Sequence, residues 1–212
     1  MTLTFNPEEA RKADRFSNFI QTAGAYKGVI TRAEKLLSRN DTQGVGLSFK
    51  ADDGSTAAFL DVYTQKANGE TLQGAQIIQA ILGCLQLRSA KEGPITFETW
   101  DRKHKNAEGY PDLMGKKIGL VFRKELQIDQ RDGVSTQERL FIVGVFQAET
   151  GLMASEILDR KTKGELLPKM VEWVAANPIK DSRKKTGNGV QRSVNPPGRE
   201  EGDPGFDDSI PF

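Results

Sequence analysis

The sequence predicts a mainly β domain with added helices, followed by a tail that has no core of its own. Three observations carry this. Apolar and polar residues alternate with strand period through three segments between residues 26 and 64, and in two more between 116 and 148. Between those blocks the period becomes helical, over residues 71–87. After Pro178 apolar residues almost vanish and charges cluster by sign.

The chain opens on a helix start. Asn6 can cap, Pro7 suits the first helical position, and Glu9 completes a capping pattern, so a short helix to about Ala13 is expected. The first strand is placed at 26–37 and is followed by a polar turn. The second, 45–51, sets Val45, Leu47 and Phe49 on one face and Ser48 and Lys50 on the other. Asp52-Asp53-Gly54-Ser55 is a hairpin turn, and the third strand covers 56–64. In the helix, Leu72, Ala75, Ile78, Ile81, Leu82 and Leu85 make the apolar stripe, and Cys84 beside it reads as a buried, inert thiol. A short strand at 95–100, a long polar loop at 101–115, a strand at 116–126, a hairpin loop at 127–137 and a strand at 138–148 follow. Two helical stretches, 154–160 and 165–176, end the domain at Asn177-Pro178, with Trp173 as a packing residue. With the strand at 95–100 and the loop after it taken as an insertion, the order is strand, strand, strand, helix, strand, strand. That is the element order of an OB-fold, a five-stranded Greek-key barrel with its helix between strands 3 and 4, and another small α+β domain could share it. Residues 1–176 form this domain with its flanking helices, and 177–212 form a disordered tail.

Composition narrows the chemistry. Net charge is only +1, so a nucleic-acid role has to come from local patches. A single cysteine excludes an intrachain disulfide and agrees with a cytoplasmic protein. No apolar run is long enough to span a bilayer, and no signal-like start is present, so no membrane partner is expected. His104 and Cys84 are the only residues of their types, too few for an ordinary zinc site, and His104 has no companion motif for nucleophilic catalysis. Residues 109–117 mimic a phosphate loop, but five residues separate the glycines and Lys117 stands where Ser or Thr would hold magnesium. No catalytic residue, cofactor or metal is expected.

The tail divides by charge. Residues 180–199 hold Lys180, Arg183, Lys184, Lys185, Arg192 and Arg199 against Asp181, a basic linker. Residues 200–212 hold Glu200, Glu201, Asp203, Asp207 and Asp208 with no cation, an acidic tip. The tip ends Asp207-Asp208-Ser209-Ile210-Pro211-Phe212. Pro211 fixes its own φ and biases Ile210 toward extended backbone, so the apolar hook suits capture in a partner's pocket while basic groups meet the acids. This ending resembles the tip of bacterial and phage single-stranded DNA-binding proteins, which typically finish Asp-Asp-Asp-Ile-Pro-Phe. Asp207, Asp208, Ile210, Pro211 and Phe212 match, while Ser209 replaces the usual third Asp and removes one charge. The resemblance is confined to these six residues, and the core does not obviously match the bacterial family, which points to a phage-encoded protein acting in the host cytoplasm. It implies an OB-fold that binds single-stranded DNA and a tip that recruits replication, repair and recombination proteins.

Binding single strands without sequence preference takes cations along the phosphates and aromatic faces against the bases. On the third strand, Leu60 and Val62 face the core while Phe59, Asp61 and Tyr63 face outward, with Lys66 just beyond. The loop carrying Trp100, Arg102, Lys103 and Lys105 interleaves an aromatic with cations and is followed by Tyr110, Lys116 and Lys117. Arg123, Arg32 and Lys50 are further candidates, as are Arg39, Asn40 and Arg131 in the two loops such folds close over a strand. The competing assignments put Trp100 in the core and cover the third strand with helices or a second subunit. A strand-annealing recombination mediator, a tail-driven adaptor or decoy, and a magnesium nuclease are the rival functions. One OB-fold contacts few nucleotides, so a homo-oligomer or cooperative binding is also expected.

Overall fold

The computed structural model describes Pro7 and residues 19–99, 103–129 and 133–183. The expected N-terminal helix lies outside these residues apart from Pro7, as do Trp100, Arg102, Arg131 and the whole acidic tip. Among the described residues the fold is mainly β with a few helices. In chain order it has β1 (Gly24–Leu37), β2 (Gln43–Ala51), β3 (Thr56–Gln65), α1 (Gln73–Cys84), β4 (Gly93–Glu98), β5 (His104–Gly109), β6 (Lys117–Ile128), β7 (Thr136–Phe146), α2 (Ala154–Leu158), α3 (Leu166–Ala176) and β8 (Ile179–Asp181).

The strands form one sheet in the order β3-β2-β1-β5-β4, with β6 paired to β1 and both β7 and β8 paired to β6. β1 can serve two neighbours because it is long and bulged. From Gly28 to Leu37 it runs against β2, while its first part, from Gly24 to Val29, pairs with β6. Among the described residues no ladder joins β3 to β7, so the sheet they form is not closed by hydrogen bonds. α1 packs against both of these strands and lies across the opening.

The main core lies inside this curved sheet. Ile30, Leu47, Phe49, Leu60, Ile118, Leu120, Phe122 and Val145 fill it, and Ile81 and Cys84 of α1 close it. Phe49 meets Phe122 edge-on with ring centroids 5.7 Å apart. Burial of each such side chain stabilises by about 1.5–3 kcal/mol. Desolvation pushes the Cys84 thiol up to about 12, which makes it an inert core residue as expected.

A second, smaller core sits where Met170 and Val174 of α3 cover Val121 and Phe146. The Phe146 ring occupies the space above Gly119, where a Cβ would lie 2.1 Å from a ring atom. Gly119→Ala is therefore expected to cost about 1–3 kcal/mol through overpacking. Urea unfolding checks this, and an unchanged midpoint would show that the ring moves aside freely.

Three stretches differ from expectation. The loop placed at 101–115 contains β5, which pairs along β4 from Gly93↔Gly109 to Glu98↔His104. Its sequence, HKNAEG, has almost no apolar alternation because only Gly109 is buried, so tertiary pairing alone makes it a strand. Past it, the short 3-10 turn Pro111–Leu113 sends Leu113 into the core. Finally, the folded domain does not end at residue 176. β8 runs parallel to β6, with Lys124↔Ile179 and Leu126↔Asp181 as partners. No described helix is long and apolar enough to cross a membrane.

Candidate nucleic-acid interface

Side chains at directly paired positions of antiparallel strands share a face. The register of β1, β2 and β3 therefore lays out their outer face as cross-strand rows. Leu36, Gly44 and Tyr63 form one row, and Glu34, Gly46 and Asp61 the next. Arg32 and Ser48 begin the third. Val29, Lys50 and Thr56 form the fourth, which β6 extends with Lys117.

The register slips on both sides of the third row. β1 carries one extra residue, Thr31, between its partners to Phe49 and Ser48. β3 places both Ala58 and Phe59 opposite Ser48. Phe59 stands in this bulge with φ of 57° and is 68% exposed. A left-handed backbone costs a residue with a Cβ about 1–2 kcal/mol. Leaving a Phe in solvent also forgoes burial worth about 1.5–3 kcal/mol. A bulky side chain that carries both costs is a functional candidate.

The next side chains on β1 form a charged cluster. Arg32 Nη2 lies 2.6 Å from Glu34 Oε2, and Lys105 Nζ donates to Glu34 Oε1 at 3.0 Å. Both cations lie over the Phe97 ring, at 5.2 and 5.7 Å from its centroid. Gly46 makes room for this arrangement, since a Cβ there would lie 2.9 Å from Arg32 Nη2. Burial pushes the Glu34 carboxyl upward, but the hydrogen bonds from Lys105 and Arg32 outweigh it and hold the group below the ordinary range. Asp61 is exposed and takes no hydrogen bond or ion pair among the described residues. Desolvation by its surroundings raises its carboxyl, with Glu34 adding to the effect and Arg32 and Arg139 opposing it. The half-buried Tyr63 phenol is raised for the same first reason, with Asp61 adding.

The expected site residues divide into two groups. Phe59, Tyr63, Arg32, Lys50, Lys105 and Lys117 lie on or beside the outer face just described. Lys50 and Lys116 are exposed and have no ion pair among the described residues. Lys117 is paired with Asp52, and Lys66, beyond Tyr63, lies 3.1 Å from Glu70. Lys103 is exposed at the loop end of the β4–β5 hairpin, next to the Glu98↔His104 pair. Tyr110 and Arg123 are committed elsewhere. The Tyr110 ring packs on the main core and its hydroxyl donates to Glu92 at 3.4 Å. Arg123 holds the end of the domain: Nε donates to the Asn177 carbonyl at 2.6 Å and Nη2 to that of Ile179 at 3.2 Å, while its guanidinium lies 4.8 Å from the Trp173 ring centroid.

Glu34, Gly46 and Phe97 were not among the residues expected at the site. Gly44 and Gly46 on the outward positions of a strand were the available signal, since glycine there marks close approach by another group. Among the described residues no group of three His, Cys, Asp or Glu is placed to hold a metal ion. Comparison with protein families and with curated proteins finds no match to this chain.

Proposed function

We propose that the protein is a non-enzymatic single-stranded DNA-binding protein, with an OB-type domain that reads no defined sequence and an acidic tip that recruits replication and recombination proteins. The domain assignment is supported by connectivity. β1, β2 and β3 form the meander, α1 follows the third strand and lies across the β3–β7 opening, and β6 and β7 take the places of strands 4 and 5. The β4–β5 hairpin is then an insertion. Such folds bind along the face of strands 2 and 3.

The observation that carries the DNA reading is Phe59, a strained and exposed aromatic on that face. Stacking on a base would return about 1–3 kcal/mol for the two costs it bears. Lys50 and Lys116 can meet phosphates directly, and Arg32, Lys105 and Lys117 can exchange a carboxylate partner for a phosphate. The tip, residues 207–212, enters through its resemblance to the ends of bacterial and phage single-stranded DNA-binding proteins.

The test is a tryptophan-fluorescence titration of the full chain with a mixed-sequence single strand and with the same sequence as a duplex, over a range of salt. Tight single-strand binding is expected, with a log–log salt slope of about −0.7 per phosphate contact, and weak duplex binding. No single-strand binding at low salt would overturn the reading. Magnesium-dependent cutting of the strand would replace it with a nuclease.

A further inference from the structure

The outer face is not uniformly basic, and its charges are sorted by row. Lys117 and Lys50 share the fourth row, on β6 and β2. Glu34 and Asp61 share the second, on either side of Gly46. A DNA backbone would be attracted to the lysine row and repelled from the carboxylate row. The strand then crosses the sheet along Lys117 and Lys50, with its bases turned toward Asp61 and Tyr63.

Of the two carboxylates, Glu34 is occupied by Arg32 and Lys105. Asp61 is exposed, with no hydrogen bond or ion pair among the described residues. It lies on β3 between the outward aromatics Phe59 and Tyr63, two residues from each, or about 7 Å along a strand. A base stacked on either ring brings its edge within reach of the carboxylate. An ionised carboxylate only accepts hydrogen bonds. Guanine offers two adjacent donors on its Watson–Crick edge, N1–H and N2–H, which match the two carboxylate oxygens. Cytosine and adenine offer one amino group each. Thymine offers a single N–H flanked by two carbonyl oxygens, which the carboxylate repels.

We infer that Asp61 is a base-selecting residue that favours guanine and disfavours thymine in single strands bound on the β3 face. This rests on the single-stranded DNA-binding reading and adds a base bias to it, without a sequence code.

The experiment uses the full chain and three oligonucleotides of equal length: oligo-dT, a thymine–guanine repeat, and the same repeat with inosine for guanine. Inosine removes the N2 amino group and keeps the stacking surface. The wild type is expected to bind the guanine repeat about five- to tenfold more tightly than the inosine repeat, and oligo-dT most weakly. Asp61→Asn and Asp61→Ala are expected to bring the guanine-to-inosine ratio close to one and to strengthen binding to oligo-dT, because the carboxylate that repels the thymine carbonyl oxygens is gone. The Asn variant keeps the shape of the side chain, and the inosine comparison needs no variant. Equal affinity of the wild type for the guanine and inosine repeats, or a preference that survives in both variants, overturns the inference. Failure to bind any of the three overturns the DNA-binding reading instead.

Discussion

Phe59→Gly is expected to leave the domain as stable as the wild type, or more stable by up to about 1 kcal/mol, while weakening single-strand binding about 5- to 100-fold. The two effects have opposite signs because they have different origins. Glycine adopts φ near +57° without a Cβ penalty, which removes about 1–2 kcal/mol of strain at the bulge. Against that stands the greater freedom of glycine in the unfolded chain, about 0.5–1 kcal/mol. Little burial is lost, since the side chain is 68% exposed. A truncated core Phe would instead cost about 3–5 kcal/mol. Thermal unfolding and oligonucleotide titration on one preparation separate the readings. A large loss of stability would make Phe59 a packing residue, and unchanged affinity would remove it from the interface. Phe59→Trp, which keeps a stacking face, is expected to retain binding.

Glu156→Gln is expected to destabilise the domain by about 2–3 kcal/mol without touching the outer face of β3. Glu156 is fully buried. Its Oε2 accepts from the Met153 N–H at 3.0 Å, and its Oε1 from the Glu165 and Leu166 N–H groups at 2.6 and 3.0 Å. One carboxylate thus joins the first turn of α2 to the start of α3, the helix that covers the second core. Glutamine matches one of these sites and turns an NH2 against donors at the other. Burial pushes this carboxyl up, but the three backbone donors, helped by Lys161, hold it below the ordinary range. A lowered folded-state pKa contributes stability that is present above the unfolded value, about 4.3, and is lost as pH falls through the folded value. The gap in urea midpoint between wild type and variant should be widest near neutral pH and close on acidification. A gap that widens in acid would show that the carboxylate is not the stabilising species. For a chain of this size the expected fall in Tm at neutral pH is about 5–10 °C.

Strands that bury one face could be read from alternation alone, and β1, β2, β3, β6 and β7 all fall close to their expected positions. Helix α1 showed itself through the 3.6-residue spacing of its inward residues. β5 and β8 could not be read this way. β5 buries only Gly109, and β8 spans three residues, too few for a period to appear. The outward facing of Phe59, Asp61 and Tyr63 also followed from alternation. The bulge that strains Phe59 did not, because it arises from a mismatch of register between β2 and β3. Arg123 looked as available as Lys50. Its actual partners are carbonyls 54 and 56 residues further along the chain, brought together by β6 and β8.

By itself the sequence determined the periods of the major elements, the burial of Cys84, the division of the tail into a basic and an acidic part, and the apolar hook at its end. These depend on neighbours within one element or one stretch. The tertiary structure decided which cations are already neutralised, which carboxylate has no partner among the described residues, and which aromatic is held in an unfavourable backbone. Each of those depends on register and on contacts between strands distant in the chain. The same cause explains why the outer face of β3 could be foreseen as a surface, while its sorting into a lysine row and a carboxylate row could not.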